Sequence, residues 1–205
     1  MFLSDTDIKQ ALAAGEITLR GFEEERLQPA SYDVILGNKF AVMESHTAHP
    51  IDPTVGILPQ MKEIEVPDGG RFMLNPGHMA LGTLRDYIGS DKYLIQLSGK
   101  SSLARIGLVV HNTAGIINPG HYLHVTLELF NVNSVPIVLR PGMEIAQLLF
   151  SPLSSQSGQH YEEVGRFAGD NWQNNLALKK KRAVGKKVAK KGVKKGAKKS
   201  ARKKK

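Results

Sequence analysis

Residues 99–131, GKSSLARIGLVVHNTAGIINPGHYLHVTLELFN, decide how this chain is read. Lys100, Ser101, Ser102 and Arg105 gather cationic and hydroxyl donors at the start of the stretch. Thr113 to Gly120 is a turn-rich loop, punctuated by Gly115, Asn118, Pro119 and Gly120. Val125 to Phe130 alternates as a strand, with Thr126, Glu128 and Phe130 on one face and Val125, Leu127 and Leu129 on the other. Donors for an anion, a shaped loop and a carboxylate on an apolar strand together point to a nucleotide pocket.

Each of these features has a plainer reading beside the functional one. Ser101 or Ser102 is expected to cap a short helix over 103–107. Such a helix start, with Lys100 beside it and Arg105 one turn on, suits a phosphate. It equally suits a capped surface turn with solvated charges. It is not a Walker loop, because the pattern needs Gly where Leu94 stands. Glu128 is expected to be desolvated, which favours its protonated form and suits proton shuttling. The alternative is a buried Glu128 fixed by an ion pair with Arg105. His121 and His124, three apart on a strand, point to opposite faces and make a poor metal pair.

Outward from this stretch, Ser4 to Ala14 reads as a helix, with Ser4 as cap, Asp7 completing a capping-box pair and Gly15 as stop. Leu27 to Val42 holds a turn at Pro29, then one or two strands broken at Gly37-Asn38. Residues 45–59 are irregular, with Pro50, Pro53 and Pro59. From Ile64 to Phe150 short apolar segments recur between turns at Asp68-Gly69-Gly70, Asn75-Pro76-Gly77, Asn118-Pro119-Gly120 and Pro141-Gly142. That pattern argues for a mainly β sandwich or barrel with a few short helices.

Charge is unevenly spread over the 205 residues. Sixteen of the 28 Lys and Arg fall in 179–205, which holds no acid, so residues 1–178 carry about −7 within a net +9. The tail repeats KKVA, KKGV, KKGA, KKSA without aromatics and is expected to be disordered. It reads either as a tether to DNA or RNA or as a solubilising extension. The chain has no Cys, which suits a reducing compartment. The zinc deaminase signature, H-x-E with P-C-x-x-C, is therefore impossible. Its first residues, MFLSDTDIKQ, lack a signal-peptide pattern, and no apolar run approaches the ~20 residues of a membrane span. A cytoplasmic protein without membrane contact is expected.

Several linked motifs resemble the dCTP deaminase family of the trimeric dUTPase-like superfamily. They are G-K-S-S-L-A-R at 99–105, H-x-T-A-G at 111–115, P-G at 119–120, T-L-E-L at 126–129 and P-G-M-x-I-x-Q at 141–147. Gln28 to Val34 resembles the family's Q-P-x-S-x-D-V, and Asn75-Pro76-Gly77 its H-P-G turn. The resemblance spans roughly 1–170. It implies a dUTPase-like distorted β-barrel that forms a homotrimer with active sites shared between subunits. It implies zinc-free attack of water on C4 of dCTP, giving dUTP and ammonia.

By the same resemblance Glu128 is the catalytic proton carrier, with no metal ligands in the protein. Lys100, Ser101, Ser102, Leu103, Ala104 and Arg105 would hold the triphosphate with its Mg²⁺. Thr126 and Leu127 would border the base, and Asn118 stands where the family has an Asp near the deoxyribose. Gln147 and Tyr161 match nucleotide-contacting positions. Residues 1–178 would form one domain, with 161–178 as an arm over the nucleotide. In that arm Arg166 replaces a phosphate-binding Lys, Asp170 replaces a Gln near the base, and Trp172 is expected to anchor the segment. Ala114-Gly115 resembles the bifunctional, dUMP-producing branch, whereas Asn118 argues for dUTP as the product. A catalytically altered nucleic-acid-binding relative is the reading from another class.

Overall fold

The computed structural model describes residues 1–44, 50–55, 57–111, 113–165 and 167–168. At its start Ser4 Oγ accepts a hydrogen bond from the Asp7 N–H, and the Ser4 N–H donates to the Asp7 carboxylate, each at 3.2 Å. This reciprocal cap opens α1 (Asp5–Ala13), and Gly15 turns the chain away at φ +70°. Strands β1 (Thr18–Arg20), β2 (Leu27–Gln28), β3 (Ser31–Met43), β4 (Met61–Glu65), β5 (Phe72–Leu74), β6 (Met79–Gly89) and β7 (Tyr93–Gly99) follow. A 3₁₀ turn, Glu24–Arg26, precedes β2. After β7 come α2 (Ser101–Ala104), β8 (Leu108–Val110), β9 (Ile116–Ile117), β10 (Leu123–Asn131), β11 (Ile137–Leu139), β12 (Glu144–Pro152) and α3 (Tyr161–Val164). The four expected turns all lie between strands.

Ten strands form one antiparallel sheet in the order β8-β10-β6-β3-β12-β7-β9, with β1 on β6 and β2 and β4 on β3. β5 and β11 make a separate pair. The long β3 joins the two halves. Its first residues pair with β12, Asp33 opposite Gln147, and its later ones with β6, Phe40 opposite Gly82. Register shifts at 36–40, 124–126 and 144–146 bend the strands and curl the sheet into a distorted barrel.

The Gly37-Asn38 break expected from sequence is one of these bulges, and β3 runs through it. Gly37 is needed there because a Cβ would stand 2.7 Å from Thr83 Oγ1. The curled sheet closes on a core that includes Val34, Leu36, Leu84, Leu127, Leu129, Leu148 and Phe150. Phe40 and Phe72 stack within it at 4.4 Å between ring centroids. Ile8 and Ala11 of α1 are buried against it. Each large apolar side chain so buried contributes about 1.5–3 kcal/mol before the entropy of ordering it.

One buried ion pair, not foreseen from sequence, locks the halves together. Arg26 reaches Asp86 Oδ1 of β6 at 2.9 Å, with both side chains nearly inaccessible. Asp86 Oδ2 accepts the Ile35 N–H of β3 at 2.8 Å, and Arg26 also donates to the Asp33 carbonyl at 3.3 Å.

Candidate active site

Glu128 owes its position to the alternation of β10. Val125, Leu127 and Leu129 point into the core, so Thr126 and Glu128 face the other way. β10 lies between β8 and β6, with Leu129 opposite Val110 and Glu128 opposite Leu81. Glu128 opens onto a cleft of about 210 Å³, walled by Leu81, Ile116, Ile117 and Leu123 and edged by Thr126, His111 and His121. Tyr161 and Phe167 of the C-terminal segment close it. The apolar walls suit a flat heteroaromatic ring, and a carboxylate and an imidazole stand beside it.

Two expectations for Glu128 are corrected here. Its side chain is 40% exposed rather than fully desolvated, because the cleft face of β10 is open. Its partner is His111 and not Arg105: His111 Nδ1 lies 2.5 Å from Glu128 Oε2. The His111 N–H also donates to the Glu128 carbonyl at 2.8 Å, and the ring Nε2 meets the Ala114 carbonyl at 3.0 Å. His111 holds this place with φ +47°, a left-handed conformation uncommon for a residue with a side chain. Sequence reading placed His111 in a motif and gave it no role. Its pairing follows from the β8–β10 ladder, which local pattern does not reveal.

The donor cluster is arranged differently from expectation. α2 begins at Ser101, with Lys100 in the N-cap position and no side-chain cap, so neither serine caps it. Ser101, Ser102, Ala104 and Arg105 are exposed, and Leu103 packs partly on the core. Lys100 Nζ meets Asp33 at 2.6 Å and Glu144 at 2.5 Å. Burial alone would lower the ammonium's pKa, but the hydrogen bonds to Asp33 and Glu144 outweigh it and hold it above the ordinary lysine value. Gln147 sits beside this cluster, where its Oε1 accepts from Ser31 Oγ at 3.2 Å.

Within one chain these residues and Glu128 do not share a cleft. Thr126, Glu128 and Tyr161 line the apolar cleft, whereas Lys100, Ser101, Ser102, Leu103, Ala104, Arg105, Asn118 and Gln147 do not. Leu127 is a correction of another kind: its side chain is fully buried in the core, so only its backbone can border a ligand. A second cleft of about 280 Å³, lined by Gln96, Ser98, Gly99 and Thr113, meets the first at His111 and Ile116.

Asn118 is exposed in the turn before Pro119, and its carbonyl accepts the His121 N–H at 3.1 Å. His121 precedes β10 rather than lying on it, and its ring stacks on Tyr161 at 4.1 Å. His124 meets Tyr87 edge-on at 5.4 Å. Arg166, Asp170, Trp172 and the tail 179–205 lie outside the described residues, as does most of the proposed arm.

A protein-family model described as dCTP deaminase-like matches residues 2–153. A dUMP-forming dCTP deaminase of Bifidobacterium animalis subsp. lactis is 43% identical over 185 residues, covering 85% of this chain and 96% of that protein. One from Methanopyrus kandleri, also dUMP-forming, is 40% identical over 175 residues, covering 82% and 91%. Among solved structures, the 2′-deoxycytidine 5′-triphosphate deaminase of Agrobacterium tumefaciens superposes with a TM-score of 0.56 at 23% identity. That match covers 74% of this chain and 48% of the other, so this chain spans about half the length of that one. It bears out the mainly β, dUTPase-like barrel. With most of its length matched by the family model and by close relatives, the chain belongs to the dCTP deaminase-like family.

Proposed function

We propose that this protein deaminates dCTP. Water adds through its oxygen to C4 of the cytosine while Glu128 takes its proton. Glu128 passes that proton to the ring nitrogen N3 and then carries the remaining hydroxyl proton to N4; the C4–N4 bond breaks as the C4 carbonyl forms, and ammonia departs from the uracil nucleotide. The observation that carries this reading is a carboxylate set at the edge of an apolar, ring-sized cleft, beside an imidazole. Thr126 and the Leu127 backbone border the base, and Tyr161 and Phe167 shield it from solvent. Sequestration keeps the attacking water at the one place where Glu128 can accept its proton.

Lys100, Ser101, Ser102, Leu103, Ala104 and Arg105 hold the triphosphate, helped by Gln147 and Arg166. Because Lys100 to Arg105 lie off the cleft of their own chain, the reading requires a second copy to supply them. A homotrimer with shared sites meets that need. Mg²⁺ enters on the triphosphate oxygens, a hard cation on hard oxygen ligands. The chemistry asked of the protein needs no zinc. No helix among the described residues is long and apolar enough to cross a membrane. The sixteen cations of 179–205 are read as a contact for DNA or RNA.

Asn118 favours dUTP as the main product. An amide still hydrogen-bonds a sugar hydroxyl but cannot act as a base on water near the phosphates. Formation of dUMP is the second reading, favoured by Gly115 and by relatives that carry dUMP-forming names. Incubation with dCTP and Mg²⁺, with ammonia, dUTP and dUMP measured over time, decides. Ammonia with accumulating dUTP supports the first reading, and dUMP released as fast as ammonia supports the second. No ammonia at all overturns the function.

A further inference from the structure

Lys100 is held by two carboxylates, and those two are themselves held differently. Its ammonium lies 2.6 Å from Asp33 Oδ2 and 2.5 Å from Glu144 Oε2, with hydrogen-bond geometry at both. Asp33 lies on β3 where that strand pairs with β12, is 5% exposed, and accepts a further hydrogen bond from Gln28 Nε2 at 3.1 Å. Glu144 opens β12, where the β7 ladder sets Ala146 opposite Gly99 and so brings residue 144 alongside Lys100. Its side chain is 47% exposed, and among the described residues its carboxylate bonds to Lys100 alone. Asp33 is thus a fixed counter-ion and Glu144 a detachable one.

One cation between two carboxylates is a net negative group, and it repels a phosphate chain. The chain gains the ammonium only when Glu144 lets go. Letting go costs little, because an ion pair with a half-exposed partner shifts an equilibrium by no more than about 5-fold. The freed carboxylate turns into water. Asp33, buried and bonded to Gln28, stays on the ammonium and keeps it in place.

From this geometry we infer that Glu144 occupies the phosphate's place on Lys100 in the free protein and is displaced by the phosphate chain of the nucleotide. This rests on the reading of Lys100 as a ligand of the triphosphate and deepens it: Glu144 sets how tightly the phosphates are held. A carboxylate that only braced β12 against Lys100 would act in the opposite sense. Its removal would loosen the ammonium and weaken binding, so the sign of the change separates the two roles.

Gln keeps the shape of Glu144, and its oxygen still accepts from the ammonium, without the charge. Inorganic tripolyphosphate is titrated into full-length wild type, Glu144→Gln and Lys100→Met. Occupancy is read from the backbone amide shifts of Ser101 and Ser102, next to the ammonium, which keeps it apart from phosphate caught by the basic tail. Glu144→Gln is expected to bind ~2–5-fold more tightly, the span of a partly exposed ion pair, and Lys100→Met to lose binding. In turnover Glu144→Gln should lower KM for dCTP by a similar factor rather than raise it. Affinity equal to or below wild type in Glu144→Gln, with Lys100→Met still losing binding, overturns the inference alone. Equal affinity in wild type and Lys100→Met defeats the placement of phosphates on Lys100 and the inference with it. Protein that binds tripolyphosphate but releases no ammonia from dCTP defeats the deaminase reading instead, and the amide shifts still decide the role of Glu144.

Discussion

Gly115 and Leu97 touch backbone to backbone. The Leu97 N–H donates to the Gly115 carbonyl at 2.8 Å, and a Cβ on residue 115 would stand 2.6 Å from the Leu97 oxygen. Position 115 therefore belongs to glycine for lack of room, and the loop from His111 to Ile116 is pinned to β7 through it.

Gly115→Ala is therefore expected to push the loop off β7 and to drag His111 away from Glu128. Turnover should fall ~10²-fold, the scale of a small misplacement of a reacting group. Amide exchange at Leu97 should accelerate in the same variant. Unchanged exchange together with unchanged turnover would mean that the loop absorbs the methyl elsewhere.

Glu128→Gln keeps the side chain's shape and removes its ability to take a proton from water. Ammonia release should drop by at least the ~10²–10⁴-fold that general acid–base groups supply. Binding of dCTP, followed by calorimetry, should stay near wild type. Retention of more than a tenth of wild-type turnover would remove Glu128 from the chemistry.

The Arg26–Asp86 pair predicts an asymmetry in stability. Asp86→Ala leaves the buried guanidinium with only the largely exposed Glu23 carboxylate, at 3.2 Å, as its charged partner, and should cost up to about 3–5 kcal/mol, read from urea unfolding. Replacing both partners with apolar residues of similar volume should cost far less. Equal losses in the single and double variants would show that the pair's hydrogen bonds to Ile35 and Asp33, and not the charges, hold the two halves.

Stability should also fall on the alkaline side. Burial first, and the neighbouring Asp91 carboxylate next, push the Tyr122 hydroxyl up to about 12. Burial likewise raises Tyr32 and Tyr93. In the unfolded chain tyrosine titrates near ~10. The folded state thus keeps protons that the unfolded state releases. The contribution is complete below pH ~10 and fades as pH rises through about 12. Urea midpoints across this range should decline less steeply in Tyr122→Phe, and identical slopes would refute the assignment.

Removal of 179–205 should leave deamination unchanged and abolish salt-sensitive DNA binding. If 6–10 of the sixteen cations meet phosphates, affinity of the full chain should fall roughly 10³–10⁵-fold between 50 and 200 mM salt. Equal DNA affinity in full-length and shortened protein would place the contact in the barrel.

What could be read from the residues was local. The Ser4–Asp7 cap, the β10 alternation that aims Glu128 and the four turns each depend on neighbours a few residues apart, and all stand as expected. What escaped depends on pairings distant in sequence. Lys100 meets Asp33 only because β7 and β3 both flank β12, and His111 meets Glu128 only through the β8–β10 ladder. The apparent break at Gly37-Asn38 shows the same limit from the other side. A glycine chosen for close approach to Thr83 carries the same local signal as one that ends a strand.

The position of β3 between β6 and β12 also governs how the chain reaches this state. β3 leaves the ribosome more than 100 residues before β12, the strand that covers its first half. At about 5–20 residues per second that interval lasts roughly 5–20 s. Through it Tyr32, Val34 and Leu36 sit on an uncovered strand edge, open to pairing with other nascent chains. Contacts of such long sequence separation also place the protein among slow folders. Synthesis at lower temperature or with added chaperone should therefore raise its soluble yield more than any substitution on its surface.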